Sequence, residues 1–526
     1  MQNKSIMIQG TGSHVGKSIL VCALCRILKE DGFNVAPFKA QNMALNSFVT
    51  RDGKEMGRAQ VAQAEAAGTE PMVEMNPILL KPTGDCGSQV VVMGKPVGNM
   101  TAKEYYQKKG VFVSVIQDAY AELQRQFDII VIEGAGSPAE INLKDGDIVN
   151  MGMAKMASAP VLLVTDIDRG GAFAWIVGTM ELLEEDEKER VKGIVFNKFR
   201  GDKNILKPGL DMLEGRINKP VVGVVPYLHD LAIDDEDSVS LENYRGNNNG
   251  SEKKCLDIVV LKLPRISNFT DFNALAQEDE SNLRFVDNAD EIGNPDMLII
   301  PGTKNTICDL RFLKERGIFH KITALSKSGT MIVGICGGYQ MMGKLINDPY
   351  HIESQENSME GLGLFHITTT FDTTKQTFQV KAKVGVHKPF ADIQENIQGY
   401  EIHMGRTTFE GASDHVPFAR ITERAGKPAD IPDGCVSSDG NIMGTYIHGI
   451  FDNDEFRSRL INYMKQKKGI QSGSENSGKS RKTKDDSYTK LAETVRRNIN
   501  MNMVYNILQI QSSHKAVPKI SLYYTV

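Results

Sequence analysis

Three stretches of the chain hold residue types whose spacing suits chemistry. In residues 10–18, GTGSHVGKS, small residues form a turn that ends in Gly16, Lys17 and Ser18. Backbone N–H groups at a helix start, a lysine ammonium and a serine hydroxyl are what nucleotide phosphates and their Mg²⁺ require. Gly10, Thr11, Gly12, Gly16, Lys17 and Ser18 are therefore expected to bind ATP, although the turn is one residue longer than G-x-x-x-x-G-K-[ST]. Glu133 directly follows the apolar run 129–132. A carboxylate at such a strand end, beside the Ser18 hydroxyl, is suited to Mg²⁺. The third stretch holds Cys336 in Gly334-Ile335-Cys336-Gly337-Gly338, the cysteine counterpart of the nucleophile elbow. Its small neighbours permit a strained turn, and a helix start favours the thiolate.

A thiolate nucleophile needs a base. His448, at the end of a β-type run in GTYIHGIFDN, is preferred over His403 in GYEIHMG. The turn PGTKNT should bring the N–H of Gly302 or Thr303 to the elbow, where with that of Gly337 it would form an oxyanion hole. More polar residues follow other strands of the first half. Lys39, Gln41 and Asn42 are expected to face the substrate or the γ-phosphate. Asp166 and Asp168, beside Arg169 in DIDRGG, should reach the same edge, and Asn197, next to Lys198, could read a nucleotide base.

The elements that must position these residues alternate. Up to about residue 245, short β-rich runs (SIMIQG, VAPF, FDIIVIEG, APVLLVTD, VKGIVFNK, PVVGVVPY) are separated by helical ones. This pattern predicts α/β architecture, a parallel sheet with helices on both faces. Residues 246–254 have linker composition, and a second α/β series (LDIVVLKL, PDMLIIPG, TMIVGICGG) fills a domain over 255–465. Residues 466–488 are charged and Ser/Gly-rich and are expected to be a disordered insertion. In residues 489–526, Leu491, Val495, Ile499 and Met503 recur at helical spacing, so one helix is expected to pack on the second domain before a tail.

At 526 residues the chain is too long for one core. With 41% hydrophobic and 24% charged residues and a net charge of −5, it offers no electrostatic ground for a nucleic-acid or anionic-membrane partner, so small molecules are the expected ligands. Seven scattered cysteines fit neither a disulfide framework nor a zinc site. Cys22 and Cys25, inside an apolar helical run, read as buried packing residues. With no signal-peptide core and no apolar run of membrane length, the cytoplasm is the expected location.

GTGSHVGKS together with EGAG (residues 133–136) resembles the longer phosphate loop and acidic strand end of the dethiobiotin-synthetase-like ATPases, where the extra residue is normal. That resemblance implies ATP spent on activating a carboxylate; a partition-type ATPase switch shares the fold. The Cys336 elbow with His448 downstream resembles the class I glutamine amidotransferases and implies ammonia released from glutamine through a thioester. That family usually has Glu two residues after the His, where this chain has Ile450, leaving Asp452 and Glu401 as candidates for the third member. The cobyrinate-type branch is similar in lacking that Glu and joins the two domains in this order. PFKAQNMALNS, NPILLKPTGD, DIDRGG and GYEIHMG strengthen the likeness. It implies ATP- and Mg²⁺-dependent amidation of a corrinoid's carboxylates, those at b, d, e and g of adenosylcobyrinic acid a,c-diamide, with glutamine as nitrogen donor. The alternatives are the relative that amidates a and c, and an ATP-driven switch with an inactive glutaminase-like domain.

Overall fold

The computed structural model describes residues 4–84, 87–228, 233, 254–385, 390, 393, 396–410, 416–470 and 483–511. Most of the expected linker, the centre of the expected insertion, Asp85 and the tail lie outside the described residues.

The first half is built on a six-stranded sheet in the order Val221–Pro226, Val191–Phe199, Val161–Asp166, Lys4–Gly10, Ile129–Glu133, Val35–Phe38. All neighbours are parallel. The central strands carry apolar runs, residues 6–8, 129–132 and 161–164, because both faces are buried, one under the helix Lys17–Glu30 and the other under the helix Ala102–Gln126. Parallel strands bring their C-terminal ends to one edge, so Gly10, Glu133, Asp166, Asn197 and the residues after Phe38 converge there. Two smaller sheets went unread in the sequence. One is four-stranded (Gln41–Met43, Ile78–Pro82, Gly87–Val92, Lys95–Thr101), the other a hairpin of Ser47–Val49 and Glu55–Gly57.

The second half carries another six-stranded sheet, with Ser281–Val286, Leu256–Leu261, Met297–Ile300, Met331–Ile335 and Ile442–Thr445 parallel and Cys435–Val436 antiparallel at the edge. Beside it lies a seven-stranded sheet built around the antiparallel pair Ile367–Val384 and Ile397–Phe409. Its short strand Ile447–His448 pairs with the latter and brings His448 opposite Tyr400.

The C-terminal segment corrects the expectation. It forms two helices, Lys484–Asn498 and Met501–Leu508, and they pack on the first domain, not the second. The first begins within the expected insertion because Thr483 and Asp486 form a capping box. Tyr488, Leu491, Ala492 and Val495 join the core cluster of the Lys17–Glu30 helix. Arg26 makes a two-bonded pair with Asp485 at 2.8 and 3.0 Å. Ile499 leaves the helix to bridge Gly223, and Asn500 caps the second helix. Among the described residues no helix is long and apolar enough to cross a membrane.

Candidate active sites

The phosphate loop leaves its strand at Gly10 and enters the helix through Gly16, whose φ of 94° lies in the left-handed region. A Cβ at Gly16 would stand 2.1 Å from the Asn197 amide nitrogen. Asn197 is buried and donates to the Val15 carbonyl at 2.9 Å. It thus holds the loop from behind, where a base-reading residue would have to face the cleft. Lys17 Nζ bridges the carbonyls of Gly12 and Gly136 at 2.9 and 3.0 Å, so the ammonium is held inside the loop's curve.

Glu133 is 1% exposed. It accepts from Ser18 Oγ at 2.9 Å, from Lys39 Nζ at 2.9 Å and from Gln63 Nε2 at 2.5 Å. A carboxylate is tolerated at this depth because an ammonium and two neutral donors compensate its lost hydration. Lys39, expected to face the substrate or the γ-phosphate, lines the cleft with its ammonium paired to Glu133, whereas Gln63 was not foreseen: it sits on the helix Arg58–Ala67, and nothing in its local sequence sets it apart. Gln41 reaches the cleft and accepts from Tyr105 Oη at 2.6 Å, while Asn42 is buried and donates to Gln60 at 2.9 Å.

The two aspartates of DIDRGG stand back from the cleft. Asp166 is buried and pairs with Lys198 at 2.8 Å, and Asp168 pairs with Arg200 at 3.0 Å. Arg169 and Lys198 line the cleft in their place. Anionic phosphates there would repel bare carboxylates, so pairing both acids with cations, buried Asp166 with Lys198 and exposed Asp168 with Arg200, suits the charge of the ligand. The cleft encloses about 1440 Å³ and extends from the loop to Tyr106 and Lys109.

Cys336 lies between the strand Met331–Ile335 and the helix Gly337–Met341 with φ 51° and ψ −106°, a conformation rare for a side-chain-bearing residue. Its neighbours must be small: a Cβ on Gly338 would come within 1.9 Å of the Ile300 carbonyl oxygen, and one on Gly337 within 3.2 Å of the Thr303 nitrogen. The backbone of 302–303 therefore runs against the elbow, where a carbonyl oxygen above Cys336 could meet its N–H groups. Gly302 also lies against His448, since a Cβ there would be 3.0 Å from His448 Cε1.

His448 is 1% exposed, its ring stacked on Tyr400 at a centroid distance of 5.3 Å. Its Nδ1 is 2.6 Å from Asp271 Oδ2, and the other oxygen of that carboxylate accepts from Gly449 N at 3.1 Å. Burial alone would lower the imidazole pKa, but the Asp271 carboxylate and the bond to Cys336 outweigh it and push it up to about 10. With Nδ1 committed to Asp271, the ring meets the thiol through Nε2. Asp271 is thus the acid on His448, correcting the expectation of Asp452 or Glu401. Asp452 lies in the short turn Ile450–Asp452, and Glu401 pairs with Arg424 at 2.8 Å. His403 stacks on Tyr446 at 3.9 Å and has its Nδ1 2.8 Å from the Gly405 carbonyl. Asp271 sits far from His448 in sequence, in NFTDFNALAQ. The available signal was one carboxylate between two phenylalanines, and a buried acid needs a partner.

The hairpin of the first domain reaches this second site. Ser47 N donates to Asn268 Oδ1 at 3.0 Å, Phe269 N to Asn46 Oδ1 at 3.0 Å, and Tyr400 Oη to the Ser47 carbonyl at 3.3 Å. Asn268 Nδ2 is itself 3.5 Å from His448 Nδ1. Buried Glu55, on the returning strand, is clasped by Lys81 at 2.7 Å and by Lys375 of the second domain at 2.6 Å, which hold its carboxyl well below the usual range although burial opposes them.

A phosphate loop with a paired serine and glutamate, joined to a cysteine–histidine–aspartate constellation, defines a nucleotide-using glutamine amidotransferase. Residues 6–241 match the CobQ/CobB/MinD/ParA nucleotide binding domain family, and residues 257–456 the CobB/CobQ-like glutamine amidotransferase domain family. The chain is 53% identical to a cobyric acid synthase of Alkaliphilus metalliredigens over 96% of this chain and 99% of that one. It is 50% identical to a cobyric acid synthase of Clostridium acetobutylicum over the same shares. A third, from Moorella thermoacetica, is 54% identical over 89% of this chain and 90% of its own. The chain belongs to the cobyric acid synthase family, and its activity is that of a glutamine-dependent amide-forming ligase of cobalamin biosynthesis.

Proposed function

We propose that the chain amidates the b, d, e and g carboxylates of adenosylcobyrinic acid a,c-diamide, with Cys336 and His448 releasing the nitrogen and the phosphate-loop cleft activating the acid. The relatives of this one name, matched over nearly the whole chain, favour this reading over the relative that amidates a and c. The enzyme assignment sets aside the switch with an inactive glutaminase-like domain. The observation that carries the division of labour is the Asp271–His448 contact at 2.6 Å beside a strained Cys336.

In the second site the thiolate attacks the γ-carbonyl carbon of glutamine. The oxyanion that forms is held by N–H groups of the 302–303 turn and Gly337. Protonated His448 gives its Nε2 proton to the departing nitrogen, and ammonia leaves a thioester. His448, now neutral, takes a proton from the water that attacks the thioester; glutamate leaves, its new carboxyl releasing a proton to solvent, and the thiolate with protonated His448 is restored. Asp271 keeps the ring in one orientation and stabilises its charged form throughout.

In the first site a carboxylate is made electrophilic by transfer of the γ-phosphoryl of ATP, and ammonia displaces phosphate from the acyl phosphate. Lys17 and Lys39 bring positive charge to the transferring group. Ser18 and Glu133 fit Mg²⁺, since hard oxygens already in contact at the loop suit an ion that takes its other ligands from phosphate and water. Bound there, Mg²⁺ supplies charge neutralisation between the phosphates. Ammonia released in bulk water would be protonated, which is why the two sites share one chain, and the cytoplasm is where we place this ATP-driven reaction.

Supplying the nitrogen from outside tests the division. Cys336→Ala should abolish glutamine-dependent synthesis yet retain amidation with ammonium chloride at mildly alkaline pH, whereas Lys17→Ala should fail with either source. A folded Cys336→Ala variant that binds ATP but is equally dead with ammonia would sink the proposal.

A further inference from the structure

The cleft at the phosphate loop is larger than its nucleotide needs. At about 1440 Å³ it exceeds the ~300–1,000 Å³ of a pocket shaped around one drug-sized ligand. Away from the loop its wall changes character. Met43, Tyr106 and Leu143 line it while 56%, 40% and 44% exposed. Large apolar side chains left to water on one concave wall mark a ligand surface. Tyr106 and Leu143 are also tied together: Tyr106 Oη donates to the Leu143 carbonyl at 3.4 Å, and half-buried Lys109 holds its ammonium 4.5 Å from the centre of the Tyr106 ring. Tyr106 comes from the helix Ala102–Gln126 and Leu143 from the turn Ile141–Leu143, so two separate elements build one face.

The charge of the cleft points the same way. Seven Lys and Arg line it against five Asp and Glu, on a chain whose net charge is −5. A ligand suited to this wall has a broad apolar face and several carboxylates at its edge. The carboxylate to be phosphorylated must come within bonding reach of the γ-phosphate, so both substrates have to share one cavity. The loop fixes the triphosphate at one end, and the apolar wall remains for the other ligand.

We propose that the Tyr106–Leu143–Met43 wall seats the corrin macrocycle, with Lys109 at its rim receiving one of the ring's carboxylates. This rests on the reading of the cleft as the place of carboxylate activation. The three side chains pack on one face of the ring, and a pendant carboxylate on the opposite side points towards Lys17 and Lys39. Each of the four acids reaches the phosphate by a different seating of the ring, and a wall of apolar contacts without directional bonds tolerates such re-seating.

The test uses the full-length protein and a coloured ligand. Equilibrium dialysis against cobyrinic acid a,c-diamide, read by corrin absorbance, should show the dissociation constant of a Tyr106→Ala/Leu143→Ala variant raised about tenfold or more. ATP binding and glutamine hydrolysis should stay within about twofold of the parent, since the side chains removed are exposed and belong to neither the phosphate loop nor the Cys336 elbow. Lys109→Met should weaken corrinoid binding at low salt and much less at high salt. Unchanged corrinoid affinity in the double variant would overturn the proposal, as would a matching loss of ATP affinity, which would make the wall part of the nucleotide site. A parent protein that bound no corrinoid at all would instead overturn the reading of the cleft on which it rests.

Discussion

The two candidate sites differ most in how much room they leave. The phosphate-loop cleft encloses about 1440 Å³, while the space around Cys336 and His448 encloses about 50 Å³. On the proposed division of labour the first admits a nucleotide and a bulky acid, and its charged groups are arranged along open walls. The second handles a small amide and a nitrogen that water would protonate, and its residues are packed until little solvent remains. Both use the start of a helix after a parallel strand. In one case that start is widened by a six-residue turn, in the other it is tightened to a single strained residue. One fold device thus serves an open binding site and a closed chemical one, and the number of residues between strand and helix makes the difference.

Three substitutions would sharpen or break that contrast. The largest effect is expected from Glu133→Gln, which removes the negative charge shared by Ser18, Lys39 and Gln63 while nearly preserving shape. Amidation should fall by about a hundredfold or more with either nitrogen source, because hydrogen bonds to a buried charge are among the costliest to lose. Glutamine hydrolysis should persist. Unchanged synthesis across a magnesium titration would show that Glu133 only supports the fold.

Asp271→Asn should act on the other site alone. The Asp271 carboxylate holds the His448 pKa near 10, so the imidazolium that gives its proton to the leaving nitrogen is present at neutral pH and is lost only as pH rises towards that value. Without the charge, the pKa falls back towards the ordinary ~6.5 and the alkaline limb of glutamine hydrolysis moves down with it. Glutamine-dependent turnover at neutral pH should drop about a hundredfold, with the ammonia-dependent reaction preserved. A pH profile that keeps its alkaline limb would refute the assignment of Asp271.

The smallest of the three tests the join between the sites. Asn46 is 1% exposed and accepts from Phe269 N in the loop that carries Asn268 and Asp271. Asn46→Ala leaves that N–H without its acceptor, a loss of ~1–3 kcal/mol in local stability. Glutamine-driven synthesis should fall about fivefold and ammonia-driven synthesis little. Equal slowing of both reactions would mean that the hairpin supports the first domain alone.

Local sequence made the phosphate loop legible, because strand, turn and helix are contiguous there and the glycines must stand where the backbone bends. Cys336 was legible for the same reason, and so was Glu133, since a charged residue closing an apolar run is conspicuous. Asp271 was not: it reaches His448 across 177 residues of chain, and no spacing rule joins a loop after one strand to the end of another. Asn197 looked like a ligand-reading residue at a strand end. Whether such a residue faces the cleft or the back of the loop depends on how Gly16 and Val15 pass beneath it, and a strand pattern carries no such information. The terminal helices show the same divide. Their apolar face was readable from Leu491 and Val495, yet two domains each offered a surface to cover, and only the fit of Tyr488 and Asp485 against the Lys17–Glu30 helix selected the first. By itself the sequence determined the strands and helices of the two parallel sheets, and it picked out the elbow cysteine and the phosphate-loop residues proposed to act, because each depends on neighbours a few residues away. The tertiary structure alone decided the partner of His448, the side on which Asn197 and Asp166 stand, and the reach of the 46–57 hairpin into the second site. These depend on how distant segments share one buried space, where an unpaired charge or N–H is costly enough to choose among arrangements that the local pattern leaves equal.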